Sequence, residues 1–365
     1  MAVNKKILIL ELGGIGDAVM SLPAIEAVLN HFKNTNVDIL TVSRTKPVIE
    51  NLKRMGFDNF HIFTTDVLEK GGLSNWLGLI KNLRKQRYDI IIDLSAVETF
   101  KAGIKRWLFI KLIGAKETIG RDTDGRGWAF AKKVKEELTS NKHEVERKIN
   151  TARLAGADIK EYIPNIEVEG SEGCGGLDDF LKSNGKIILG INVGAYRPSR
   201  RWPIDKVIVL AKDLLQEKRF KIVFLGGERE KEILQQIEDS LIDCKSYIRI
   251  AVNLSFANLI NLLKHFSVCI TNDTGLMHIA AALNVPMVIT FDQNNVCRYR
   301  PYMDEKRYII IKKHASVCPY YKFKNDMQEC RRYSCDTQEC MNLITVDAVK
   351  EAVRGLLSRC GGNVA

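Results

Sequence analysis

Residues 268–291 read VCITNDTGLMHIAAALNVPMVITF, and the fold class follows from this stretch. Val268 to Thr271 is a short apolar run of the length a buried strand needs. A polar turn, Asn272-Asp273-Thr274, follows it, and Gly275 to Leu283 has the composition of a helix. Pro286 closes the helix and Met287 to Phe291 is a second apolar run. Two buried strands joined through a helix run parallel, because a parallel pair needs a crossover connection. The expected class is therefore α/β. In such sheets a strand feeds the start of a helix, whose free N–H groups form an anion site suited to a diphosphate. Asp273 or Thr274 suits the capping position, and Gly275 lets the backbone approach a ligand closely. His278 lies one turn in, where packing and ligand contact are both open readings.

The same alternation extends in both directions. Upstream, Ile187 to Val193 runs into Gly194-Ala195-Tyr196-Arg197, and residues 196–203 read YRPSRRWP. Guanidinium groups match phosphate oxygens, so Arg200 and Arg201 are phosphate-contact candidates; a solvated basic loop is the plainer reading. Val207 to Gln216 is helical in spacing, and Lys221 to Leu225 leads to Gly226-Gly227-Glu228. An acid just past a strand end can accept hydrogen bonds from ribose hydroxyls. In the N-terminal part, Lys6 to Leu10 (KILIL) precedes Gly13-Gly14-Ile15-Gly16-Asp17 and a helical stretch from Ala18 to Phe32. Strand runs at Val37 to Val42 and Asp89 to Leu94, with an amphipathic segment from Leu73 to Arg87, continue the pattern. Ser171 to Gly176 (SEGCGG) marks a break. The expected organisation is two Rossmann-like, doubly wound domains, 1–170 and 171–365, facing a central cleft at the carboxyl ends of both sheets.

The first glycine loop is not a dinucleotide fingerprint. Gly14-Ile15-Gly16 opens like one, but Val19 occupies the place of the third glycine, which close helix–strand packing requires. Asp38, the acid nearest the expected spacing, sits at the start of the next strand rather than past its end. The loop instead offers Asp17 at a strand-to-helix turn, where the helix dipole favours a carboxylate. Two roles fit it: a helix cap, or a general base with small glycines leaving room for substrate.

Composition bounds the partners. The 365 residues carry a net charge of +11, with 45% hydrophobic and 27% charged residues. That balance is globular, and the excess of positive charge suits nucleic acid, an anionic membrane surface or phosphorylated small molecules. No apolar run approaches the ~18–20 residues of a membrane-spanning helix, and the first residues lack a secretory pattern. A cytoplasmic protein with reduced thiols is expected. Cys318, Cys330, Cys335 and Cys340 lie close in sequence, but without a CxxC knuckle a structural zinc is the less favoured reading. Lys101 to Lys111 (KAGIKRWLFIK) mixes lysines with Trp107, Leu108 and Phe109, as an interfacial helix or a core helix would.

Taken together these segments resemble glycosyltransferase family 9, the ADP-heptose:lipopolysaccharide heptosyltransferases of GT-B fold. The resemblance rests on ILILELGGIGDAVMSLPAI (7–25), INVGAYRPSRRWP (191–203), FLGGERE (224–230) and TNDTGLMHIAAALNVP (271–286), with weaker similarity at 93–120 and in the tail. It implies Asp17 as the catalytic base toward the acceptor hydroxyl and Arg200 as a contact of the donor diphosphate. It implies Glu228 at the donor ribose, and Asp273, Thr274, Gly275, Leu276 and His278 as the nucleotide-sugar signature. Gly14, Arg121 and Arg126 are candidate acceptor contacts. The implied reaction is an inverting transfer, without metal or other cofactor, from a nucleotide sugar (ADP-heptose by resemblance) to a phosphorylated glycolipid, the lipopolysaccharide core. Peripheral contact with the inner membrane is a further expectation, and no nucleic-acid partner is expected. The alternatives are a GT-B transferase with another donor or acceptor, and a non-catalytic nucleotide-binding module.

Overall fold

The computed structural model describes residues 5–66, 72–137, 139–160, 162–168, 173–182, 185–313, 335 and 338–360. The chain divides into two compact units. One comprises Met1–Glu167 with Cys297–Arg300, and the other Val168–Val296 with Pro301–Ala365.

The first unit is built on β1 (Ile7–Glu11), β2 (Val37–Val42), β3 (Phe60–Thr65), β4 (Ile90–Asp93), β5 (Glu117–Thr123) and β6 (Lys132–Glu136). Its sheet is parallel in the order β3-β2-β1-β4-β5-β6. The crossovers are α1 (Ile15–His31), α2 (Lys46–Arg54), α3 (Leu73–Lys85) and α4 (Phe100–Ile113), and α5 (Glu144–Leu154) follows β6. β1 and β2 are buried throughout, which explains why they read as continuous apolar runs rather than alternating ones. α1 packs on α5, and Leu8, Leu10, Ile91, Phe109 and Ile113 form part of the core. Asp38 lies buried inside β2 and accepts a hydrogen bond from the Tyr88 hydroxyl at 2.7 Å, so it is committed within the sheet.

The second unit repeats the plan. Its strands are β7 (Ile187–Asn192), β8 (Phe220–Gly226), β9 (Ile248–Val252), β10 (Val268–Asn272), β11 (Met287–Phe291) and β12 (Tyr308–Lys312). They form a parallel sheet ordered β12-β11-β10-β7-β8-β9. Helices α6 (Ile204–Gln216), α7 (Lys231–Ser240), α8 (Phe256–Lys264), α9 (Gly275–Ala282) and α10 (Val346–Arg359) cover it. In each unit the first strand lies beside the fourth, so the strand order reverses there. The crevice outside the carboxyl ends at that reversal is where open α/β sheets bind ligands. The loops after β1, β7 and β10 all start at these points, and they carry the residues singled out from the sequence.

Gly190 shows how tightly the second sheet is packed. A Cβ built there would stand 2.2 Å from Cε2 of Phe266, a ring that is itself buried. Overpacking of this kind costs ~1–3 kcal/mol. Gly190→Ala should lower unfolding stability by about that amount in urea titration, and Phe266→Leu in the same chain should recover part of the loss.

Candidate active site

The first cluster grows from the end of β1. Glu11, its last residue, is fully buried and accepts from the Gly13 N–H at 3.1 Å, the Lys148 Nζ at 3.0 Å and the Ser21 hydroxyl. The turn Leu12-Gly13-Gly14 is thereby held against α5. Asp17 sits in the first turn of α1, where one carboxylate oxygen accepts the Gly14 N–H at 2.9 Å. Its Cβ packs so closely on Gly13 that a Cβ there would be 2.4 Å away, so position 13 has no room for a side chain. Asp17 thus does cap the helix start with one oxygen, and its other oxygen takes no hydrogen bond from a described residue. Burial pushes its proton affinity above the ordinary carboxylate range; the Lys148 ammonium opposes this, and the Glu11 and Glu144 carboxylates add to it.

Behind this loop lies a buried ion-pair network. Arg121, at the end of β5, is fully buried. It donates to Glu136 at 2.9 Å, to the Leu94 carbonyl at 3.3 Å and to both oxygens of Glu144. Arg298 donates to Glu144 at 2.9 Å, and Arg147 lies 3.3 Å from Glu136. The sequence reading of Arg121 as an acceptor contact is therefore corrected. A guanidinium closed off from solvent and saturated by two carboxylates orders its neighbours instead of meeting a ligand. Arg126 is partly exposed and donates to the Thr123 carbonyl and Asp124 at 3.0 Å each, and Gly14 lines the turn beside Asp17.

The second cluster lies at the reversal point of the other sheet. Two asparagines, one ending β7 and one ending β10, tie its loops together. Asn192 Nδ2 donates to Thr271 at 3.0 Å, and Asn272 Nδ2 to the Gly194 carbonyl at 3.1 Å. Asn272 Oδ1 accepts the Trp202 N–H and the Thr290 hydroxyl, both at 2.9 Å. α9 starts at Gly275 with Thr274 as its N-cap, and no side chain caps it. Thr274 thus takes the expected capping position without supplying a side-chain acceptor to the helix, and the Asp273 carboxylate turns instead toward Arg200, at 3.2 Å, and Asn294. The N–H groups of the first turn of α9 therefore have no side-chain acceptor, and Thr274, Gly275 and Leu276 are partly accessible. His278 is buried, and burial lowers its pKa to about 4 despite the nearby Asp273, so the imidazole is neutral at pH 7.

The Arg200-Arg201 pair splits. Arg200 faces Asp273 and Asp292, each at 3.2 Å, whereas Arg201 pairs with Glu230 and donates to the Ala195 carbonyl. After β8 the two acids also diverge. Glu228 is exposed, with the Lys231 ammonium 3.9 Å away; Glu230 is buried and accepts the Gly227 N–H at 3.0 Å. Sequence reasoning passed over Asn192, Asn272, Glu230, Asp292, Lys148 and Glu144. The two strand-ending asparagines were the most accessible signal, since each follows an apolar run directly before a singled-out loop.

Of the four tail cysteines, Cys318 and Cys330 lie outside the described residues; Cys335 and Cys340 are partly buried thiols. Among the described residues no group of histidines, cysteines and acids is arranged to hold a metal, and no helix is long and apolar enough to cross a membrane.

Two all-parallel sheets of the same reversed strand order, each with its polar cluster at its own reversal point, make up the GT-B architecture of nucleotide-sugar glycosyltransferases. The family model of glycosyltransferase family 9 (heptosyltransferase) matches residues 76–327. The chain belongs to that family and is a glycosyltransferase. It is 24% identical over 330 residues to lipooligosaccharide heptosyltransferase 2 of Haemophilus influenzae, covering 83% of this chain and 88% of that one. To lipopolysaccharide heptosyltransferase 2 of Escherichia coli K12 it is 25% identical over 304 residues, covering 78% and 82%. Among solved structures, E. coli ADP-heptose lps heptosyltransferase II superposes with a TM-score of 0.71 at 22% identity, covering 98% of this chain and 99% of that one. The family 9 glycosyltransferase from Veillonella parvula superposes with 0.73 at 19% identity, covering 97% of both.

Glu144 carries a pH signature. Burial raises its proton affinity, but Arg121 and Arg298 outweigh that and hold the carboxyl well below the usual range. A carboxyl depressed in the folded state contributes stability above its unfolded pKa of ~4.3, and that contribution is lost as pH falls. Glu144→Gln should cost ~3–5 kcal/mol in urea unfolding at pH 7, because it leaves buried arginines uncompensated. The gap between variant and wild type should narrow in the same titration at pH 4.

Proposed function

We propose that this chain transfers heptose from ADP-heptose to a lipopolysaccharide-core acceptor, with inversion at the anomeric carbon. The observation that carries the reading is Asp17. It is a partly accessible carboxylate on the first turn of α1 at a sheet reversal point, with one oxygen used for capping and the other left for chemistry. The donor and acceptor follow from the relatives, whose names give heptose transfer to lipopolysaccharide and, for the solved E. coli structure, ADP-heptose.

In this mechanism Asp17 accepts the proton of the acceptor hydroxyl as that oxygen forms a bond to the anomeric carbon. The bond from that carbon to the diphosphate breaks, and its electron pair leaves with the phosphate oxygen. Negative charge growing on the diphosphate is met by Arg200 and by the uncapped N–H groups at Thr274, Gly275 and Leu276. With guanidinium and helix start sharing that task, the step calls for no divalent metal. A single displacement inverts the anomeric configuration. Asp273 positions Arg200, neutral His278 lines the donor side, and Glu228, projecting after β8, is assigned to the ribose. On the acceptor side Gly14 gives backbone access beside Asp17, and Arg126 is assigned to a phosphate of the glycolipid.

Asp17→Ala should reduce kcat by ~10²-fold or more while the donor Kd changes little. Wild-type kcat should rise with pH through a pKa above the ordinary carboxylate range, since the base acts only when ionised. Radiolabelled transfer to heptose-deficient lipopolysaccharide measures both; a variant that turns over normally but no longer binds donor would overturn the assignment.

The acceptor's lipid nature gives the protein reason to work at the cytoplasmic face of the inner membrane, and α4 suits that contact. Gly103, Phe109, Ile110 and Ile113 face the core, while Phe100, Ile104, Trp107 and Leu108 line the opposite, exposed side. Trp128 extends the exposed surface, its ring 5.1 Å from that of Phe100 in an edge contact. Exposed Lys101, Lys105 and Lys111 accompany the apolar residues. Aromatic side chains suit the headgroup region, and each lysine near an anionic surface contributes ~1 kcal/mol. The protein should co-sediment with vesicles containing phosphatidylglycerol and much less with phosphatidylcholine alone. Trp107→Glu and Ile104→Glu should cut the bound fraction about tenfold without lowering the thermal midpoint; undiminished binding would exclude α4 as the contact.

A further inference from the structure

Asp292 follows β11 and is buried, and the transfer step leaves it unused. Its Oδ2 lies 3.2 Å from Arg200 Nε, and its Oδ1 accepts the Asn294 N–H at 3.0 Å. Asp273 hangs from the end of the neighbouring strand, equally close to Arg200 and bonded to the Asn294 amide. Two buried carboxylates therefore share one guanidinium. The other charged groups nearby do not redress the balance. Lys312, at the end of β12, donates to the Asn294 carbonyl at 2.7 Å, and His278 on α9 is neutral. Arg201 is taken by Glu230.

Resting on the donor reading above, we infer that Asp292 is a positioning residue for the donor diphosphate. Together with Asp273 it holds Arg200 in register while the site lacks donor, and it takes up one proton from solvent when the diphosphate arrives. The charge arithmetic requires some response of this kind. A diphosphate esterified at both ends brings two negative charges to a guanidinium already facing two carboxylates. Either one carboxylate loses Arg200, or both keep it beside two further anionic groups. In both cases a buried carboxylate loses compensation, and a proton is the cheapest replacement for a carboxylate held out of water. Asp292 is the group poised for it: burial, then the Asp273 charge, raise its pKa to about 6, against the restraint of Arg200, the Asn294 N–H and Lys312. It is thus mainly ionised at pH 7.5 without donor, and any added negative charge carries it toward protonation.

The test is calorimetry with the full chain at pH 7.5, using ADP-glucose, UDP-glucose and GDP-glucose in buffers of different ionisation enthalpy. Their doubly esterified diphosphates do not titrate near neutrality. The expected result for a sugar nucleotide that binds is uptake of about half to one proton per site, with Kd weakening about three- to tenfold per unit between pH 7 and 8. Asp292→Asn should bind with almost no proton uptake and a flat pH dependence; Asp292→Ser serves the same purpose if the first variant does not fold. A merely structural Asp292 would change affinity or stability in these variants and leave the proton count as it was. Binding without uptake by the wild type overturns the inference alone, as does uptake that persists in the variants or disappears in His278→Gln. Failure of all three nucleotides to bind at millimolar concentration overturns the donor reading and this inference together.

Discussion

Glu144 accepts hydrogen bonds from Arg121 and Arg298, and the first unit is organised around that contact. A buried carboxylate is tolerable only when paired and hydrogen-bonded, and pairing of this quality fixes several elements at once. Arg121 brings β5 and, through Glu136, β6; Glu144 brings the start of α5. One turn further along α5, Lys148 reaches Glu11 at the end of β1, and Glu11 in turn holds the Gly13 N–H. The position of Asp17 is thus the last link of a chain of charges that begins on the far side of the sheet. The same network sets the electrostatics of the loop, with an ammonium and two carboxylates acting on Asp17 together.

The second unit meets the same problem with neutral groups. Asn192 and Asn272 satisfy carbonyls, hydroxyls and an indole-bearing residue's N–H between three loops, without introducing net charge. Charge is then concentrated at Arg200 and its two acids. A helix start whose N–H groups take no side-chain cap complements this arrangement, because a carboxylate placed there would compete with an anionic ligand. The turning of Asp273 away from α9 and toward Arg200 has a physical reason in that competition.

The strands buried on both faces were plain in the sequence, as KILIL, VDILTV and VCIT show, since burial on two sides leaves an unbroken apolar run. The reversed order of both sheets followed from alternation and from the resemblance. Other elements were illegible for local reasons. β6 reads KKVKE and is largely exposed at a sheet edge, where charged residues guard against unwanted pairing and hide the strand pattern. At α9 the sequence shows that Thr274 suits the cap position it occupies, but not that its side chain bonds no N–H of the helix, because composition does not show which way a side chain turns. Arg121 and Arg126, five residues apart, looked equivalent; only the fold separates the saturated one from the partly exposed one. In the same way neither the Arg200-Arg201 pair nor Glu228 and Glu230 could be told apart by composition. What decides each is a partner distant in sequence, Asp292 for Arg200 and Glu230 for Arg201, that no local window contains.

The segment Cys297–Arg300 is made late and used early in the architecture. Proteins generally acquire structure from the N-terminus as they leave the ribosome, at ~5–20 residues per second. Glu144, however, waits for an arginine 154 positions downstream. At that pace the N-terminal sheet stands for roughly 8–30 seconds with one guanidinium missing from its interior. The nascent chain therefore completes its first half only after most of the second has been translated, and a gene fragment cut between the halves would encode an N-terminal piece lacking an internal part.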